Sequence, residues 1–122
     1  MNAIKTLAAA SVVAAATLAS PFAAAHATLK GSDPQAGAVL AAAPKQVSLT
    51  FNEKIEQAFS TVTVADSDGK QVSTEKAKVD DANPAVVRLA MPALAAGEYT
   101  VSWAVAGHDG HRRKGDFKFS VK

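Results

Sequence analysis

Cysteine is missing from all 122 residues. A chain without thiols has no disulfide, no thiolate metal site and no thiol nucleophile. Its fold must rest on an apolar core, and any metal must be held by nitrogen and oxygen. Methionine is scarce too: beyond Met1 there is Met91 alone, which excludes a thioether-rich site for a soft ion. Aromatic residues make up 6% of the chain, with one tryptophan and one tyrosine, so Trp103 and Tyr99 are expected as large core residues whose polar tips find partners. Neither sign of charge dominates, since 13 basic residues face 11 acidic ones. The basic residues are scattered except for Arg112-Arg113-Lys114, and a nucleic-acid partner, which needs a clustered basic stripe, is excluded. Histidine is rare as well, at three residues.

One long apolar run exists, at residues 7–18, behind Lys5 and ahead of Ala23-Ala24-Ala25. A short basic start, an alanine-rich apolar stretch and a small-residue cleavage site are the three parts of a secretory signal peptide. The run is too short and too alanine-rich for a membrane span. Residues 1–25 are therefore expected to be removed, leaving residues 26–122 as one domain outside the cytoplasm, in the periplasm. Ala25-His26-Ala27 also fits the small-x-small pattern. Cleavage after Ala27 would remove His26. The site after Ala25 is favoured because the apolar run ends nearer to it.

Beyond the leader, apolar residues alternate with polar ones in short runs: Val47, Leu49 and Phe51; Val62 and Val64; Val87, Leu89 and Met91; Tyr99, Val101, Trp103 and Val105; Phe117, Phe119 and Val121. A period of two with one apolar face is the pattern of half-buried antiparallel strands. Asp33-Pro34, Asp68-Gly69, Asn83-Pro84 and Ala96-Gly97 punctuate these runs, and Asp66-Ser67-Asp68-Gly69 reads as a hairpin turn. Residues 38–43 are expected to form a short helical turn before Pro44, and residues 75–81 a mobile loop or a lone strand. Residues 54–57 and 112–114 are expected as solvated loop or edge charges, which discourage edge-to-edge pairing. Together these features predict an all-β fold, a small immunoglobulin-like Greek-key sandwich or barrel of about seven strands. The expected state is a monomer.

Two of the three histidines lie in Gly107-His108-Asp109-Gly110-His111, between the Trp103 and Phe117 strands. A strand end or a connection on a rigid scaffold is where functional groups are commonly held. Asp109 and His111 are two apart, so in extended backbone they point to one side and converge on one ion, while His108 points away. A mature chain starting at His26 adds an α-amine and an imidazole that close one chelate ring on a metal. The amine's ordinary pKa of roughly 7.7–8.0 lets a metal displace its proton at neutral pH. His26, Asp109 and His111 are thus the candidate metal ligands. Three nitrogens with a carboxylate or water favour a tetragonal site, which selects Cu(II) ahead of Ni(II), with one ion per chain.

These residues also carry a resemblance. His26-Ala27, Leu29, Ser32, Pro34, Gly37, Leu40, Pro44, Val47, Leu49, Phe51 and Glu53 form one pattern; Gly97, Tyr99, Val101, Trp103, Asp109-Gly110-His111 and Gly115 form a second. Together they resemble the periplasmic copper-resistance protein CopC family. The resemblance implies a seven-stranded immunoglobulin-like barrel that binds Cu(II) at one end. His26 would give its amine and imidazole, and His111 a second imidazole. Asp109 would serve as an oxygen ligand or as the group that orients the ligands. It further implies copper resistance or homeostasis, with the ion carried or sequestered and passed to an inner-membrane copper-transport protein. Where the family usually has serine and proline, this chain has Gly107 and Arg112.

Two other function classes compete with this non-enzymatic carrier. A histidine amine–imidazole chelate with a second histidine resembles the copper brace of lytic polysaccharide monooxygenases, a copper-dependent oxidative enzyme. Against it stand the small size and a carboxylate competing for the open position. The other is a metal-free immunoglobulin-like interaction module, because one architecture hosts many functions.

Overall fold

The computed structural model describes residues 27–122; the expected signal peptide and His26 lie outside the described residues. The described chain runs β1 (Leu29–Asp33), β2 (Val39–Leu40), β3 (Gln46–Phe51), a 3-10 turn (Gln57–Phe59), β4 (Thr61–Asp66), β5 (Lys78–Val79), β6 (Val86–Ala90), β7 (Gly97–Ala106) and β8 (Arg112–Val121). Two four-stranded sheets result, ordered β1-β3-β6-β5 and β2-β8-β7-β4. The fold is all-β. The strand count rises above seven because β2 and β5, two residues each, also pair.

The alternating runs face inward as their period requires. Val47, Leu49 and Phe51 of β3, Val62 and Val64 of β4, and Val87 and Leu89 of β6 are buried. Tyr99, Val101 and Val105 of β7 meet Phe117, Phe119 and Val121 of β8 in the same core. Each such side chain contributes on the order of 1.5–3 kcal/mol on burial, the source of stability left to a chain without disulfides. Tyr99 stacks on Phe119 at 5.6 Å between ring centroids, and its hydroxyl donates to Ala95 O at 2.6 Å. That closes the corner before β7 much as a conserved tyrosine does in immunoglobulin-like sandwiches.

Trp103 is only partly buried. It packs edge-on against Phe51 at 6.3 Å and tilted against Phe117 at 6.2 Å. Its register partner on β8 is Gly115, and a Cβ there would stand 2.5 Å from the indole ring. The ring is rigid and wedged between two phenylalanines, so it cannot yield cheaply. Gly115→Ala is expected to destabilise the domain by about 1–3 kcal/mol, read as a lower urea midpoint at unchanged m-value; an unchanged midpoint would mean the indole moves freely.

Two expectations need correction. Residues 38–43 contain the strand β2 rather than a helical turn, because β8 offers an open edge: Val39 and Leu40 lie parallel to Ser120 and Val121. Ser120 N–H donates to Ala38 O and Lys122 N–H to Leu40 O, both at 2.9 Å. Tertiary hydrogen bonding outweighs alanine's helix propensity. Residues 54–57 are not simply a solvated loop, since Ile55 is buried and bridges Gly107. Residues 112–114 are exposed edge charges, as expected: they begin β8 in register with β7 on one side, while β2 pairs only with Ser120 and Val121 on the other. Within 75–81 a strand does form, β5, but it is not a lone one: Lys78 and Val79 pair antiparallel with Arg88 and Val87 of β6. Gln57 pins it, donating from Nε2 to Ala77 O at 2.8 Å and accepting Val79 N–H on Oε1 at 2.6 Å.

Candidate metal centre

At one end of the sandwich, β7 and β8 are joined through Gly107-His108-Asp109-Gly110-His111. The turn closes on itself: Gly107 N–H donates to His111 O at 3.1 Å, and Gly110 N–H donates back to Gly107 O at 2.9 Å. Gly110 sits at φ +86°, in the left-handed region that side chains with a Cβ rarely adopt.

Asp109 gives both carboxylate oxygens to one neighbour. His111 N–H donates to Oδ1 at 3.0 Å, and His111 Nδ1 lies 3.0 Å from Oδ2. The two side chains do converge, but not because the backbone is extended. An aspartate that accepts the amide two residues on forms a local turn, and that turn swings the imidazole onto its second oxygen. An ionised carboxylate only accepts hydrogen bonds, so the proton must reside on Nδ1 and the ring lone pair on Nε2. This is how a carboxylate fixes the tautomer and direction of an imidazole ligand.

The backbone hydrogen bond from His111, then its side-chain hydrogen bond, hold the Asp109 carboxyl below its ordinary range, helped by the nearby charge of both imidazoles. The folded pKa is depressed. The contribution of this contact is therefore complete above the ordinary aspartate value of about 3.9 and is lost as pH falls through the lower folded value. An NMR titration should leave the His111 amide resonance insensitive to Asp109 until pH is below about 4. A carboxylate-type inflection above that point would contradict the geometry.

His108 is engaged by a different partner. Its N–H donates to Lys54 O at 3.1 Å, and its Nδ1 lies 3.6 Å from Glu53 Oε1. That carboxylate lies flat against Gly107, where a Cβ would come within 2.6 Å of Oε1. Glycine at position 107 thus makes room for Glu53. In the sequence, Glu53 stands only as the last residue of the first resemblance pattern, with no site role attached. Its proximity to the turn comes from the long-range pairing of Ile55 with Gly107.

The same short segment also holds the start of the described chain. Asn52 N–H donates to Thr28 O at 3.0 Å, and Thr28 N–H donates to Asn52 Oδ1 at 2.7 Å. Ala27 is 1% exposed and belongs to the core. Residues 52–55 therefore touch Thr28 on one side and Gly107-His108 on the other. Ala27, joined covalently to His26, enters the fold at the end that holds Asp109 and His111. Among the described residues no group of three histidine, aspartate or glutamate side chains converges on one point. Asp109 and His111 form a pair, and the third candidate ligand, His26, lies outside the described residues.

The model of the CopC domain family matches residues 29–122. Protein YobA of Escherichia coli K12 is 38% identical over 108 residues, covering 87% of this chain and 86% of that protein. The crystal structure of CopC from Methylosinus trichosporium OB3b superposes with a TM-score of 0.76 at 38% identity, over 80% of this chain and 94% of that one. PcoC, a methionine-rich copper resistance protein from Escherichia coli, superposes with a TM-score of 0.70 at 31% identity, over 80% of this chain and all of that one.

Proposed function

Since the chain belongs to the CopC family, we propose that it is a copper-binding protein of copper resistance. In this reading it carries one Cu(II) per chain in the periplasm through His26, His111 and Asp109. The observation that carries the reading is the Asp109–His111 contact at 3.0 Å, which orients an imidazole at the end of the sandwich where Ala27 enters. His26 would supply the amine and the first imidazole, and His111 the second imidazole through Nε2. Asp109 holds His111 in place through both oxygens, so its main role here is orientation. Nitrogen donors in a tetragonal set match Cu(II), and the absence of cysteine together with a lone Met91 leaves no soft-donor site for Cu(I).

A carrier must also release its ion. Asp109 and His111 lie at a surface turn, with the His111 side chain 57% exposed, so a recipient's ligands can reach an ion there without unfolding the domain. The recipient in this reading is an inner-membrane copper-transport protein.

Intact mass under non-denaturing conditions tests the core of the proposal. Protein isolated from the periplasm is expected to begin at His26 and to retain one copper after one equivalent of Cu(II) and a wash with a weak chelator. Chains that begin at Thr28, or copper lost in the wash, would refute it.

A further inference from the structure

We infer that Asn52 is a positioning residue for the amino-terminal ligand arm, a role that rests on the copper-carrier reading of the same site. The first residues of a chain are ordinarily mobile unless something ties them down. Two ties are visible here. The Ala27 methyl is buried in the core. Asn52 and Thr28 then exchange two hydrogen bonds, one from backbone to backbone at 3.0 Å and one from Thr28 N–H to the Asn52 side chain at 2.7 Å. The side-chain bond is the one that depends on residue identity, because Oδ1 of asparagine is placed to accept where a hydrophobic residue has no acceptor.

The location of this bond explains why it matters. Leu29 and Phe51 form the last pair of the β1–β3 ladder towards the amino terminus. Asn52 takes over at the point where the ladder ends. One residue later Glu53 reaches His108, and Lys54 O accepts the His108 N–H at 3.1 Å. One short segment, residues 52–54, therefore touches both halves of the candidate centre: the strand start that follows His26, and the turn that carries Asp109 and His111. A chelating arm held at a fixed distance from its third ligand binds more tightly than a free one, because the ordering cost is met on folding rather than on metal capture.

The test has a metal-free arm and a metal arm. In metal-free protein starting at residue 26, Asn52→Ala is expected to abolish hydrogen-exchange protection of the Thr28 amide while leaving β3 and β6 amides protected. Asn52→Asp, which keeps the acceptor, should restore it. In chelator competition, Asn52→Ala should weaken Cu(II) binding by about three- to tenfold, the scale of one net hydrogen bond. It should have no further effect in a His26→Ala background whose α-amine is also acetylated, because a positioning role acts only through the groups it positions. A general loss of fold would instead weaken both backgrounds equally and lower the melting temperature. Unchanged Thr28 exchange, or equal losses in the two backgrounds, overturns the inference. If His26→Ala itself leaves copper affinity unchanged, the carrier reading fails and takes this role with it. If His26→Ala weakens binding and Asn52→Ala does not, only the role of Asn52 fails.

Discussion

His26→Ala, in protein whose chain begins at residue 26, is expected to weaken Cu(II) binding by more than the roughly 10–100-fold that loss of a group supporting a ligand costs. The substitution removes an imidazole and with it the chelate ring that the amine and imidazole close together, so the remaining amine must find the ion as a separate ligand. Asp109 and His111 alone are two groups, and no third histidine, aspartate or glutamate among the described residues joins them. The measurement is competition against a chelator of known affinity at fixed pH, because amine and imidazole must shed protons to bind and the apparent affinity moves with pH. Acetylating the amine of the unsubstituted chain should weaken binding in the same direction. Affinity within about threefold of the parent, a change of under 1 kcal/mol, would remove His26 from the ligand set, and the metal-free interaction module would become the better account of the domain.

Phe51→Ala should have the largest effect on stability, about 3–5 kcal/mol. The ring is 2% exposed, meets Trp103 edge-on, and belongs to the central strand pair of its sheet, between β1 and β6. Its backbone is fixed on both sides, by Leu29 in register and by donation of its N–H to Ala85 O at 2.8 Å. The strand therefore cannot easily close in on the cavity. Against a total stability of roughly 5–15 kcal/mol for a single domain, with no disulfide in reserve, such a loss would leave the protein marginal at 37 °C. Urea unfolding followed through the one tryptophan reads the change. A loss below about 1.5 kcal/mol, the scale of a well-tolerated core substitution, would mean that Trp103 and Phe117 collapse into the space. Because Phe51 leads directly into Asn52 and Glu53, partial unfolding here should also disorder the candidate metal centre.

Most of the sandwich is legible in the sequence, and for a local reason. Alternation is a property of each strand taken alone, so Val47, Leu49 and Phe51, or Phe117, Phe119 and Val121, announce their inward face without reference to any partner. The hairpin at Asp66 to Gly69 is equally local: Gly69 N–H donates to Asp66 O at 3.0 Å, and Asp66 Oδ1 accepts the amides of Asp68 and Lys70, each at 2.9 Å. The convergence of Asp109 on His111 belongs to the same class, since a carboxylate two residues from an imidazole needs only its own turn. What could not be read locally is whatever depends on which strand lies beside which. The alanine-rich segment around Val39 has every propensity for a helical turn and becomes a strand because β8 has an open edge next to it.

By itself, then, the sequence determined the strand faces, the turns, the absence of soft donors and the Asp109–His111 pair, because each follows from chemistry within a few residues. Only the tertiary structure decided that Ile55 is buried against Gly107, that Glu53 lies over that glycine beside His108, and that Asn52 holds Thr28 at the same end of the sandwich. Those contacts join residues 24 to 55 positions apart in the chain. Their partners are selected by sheet order and register, which arise when the whole core packs and no local pattern encodes them.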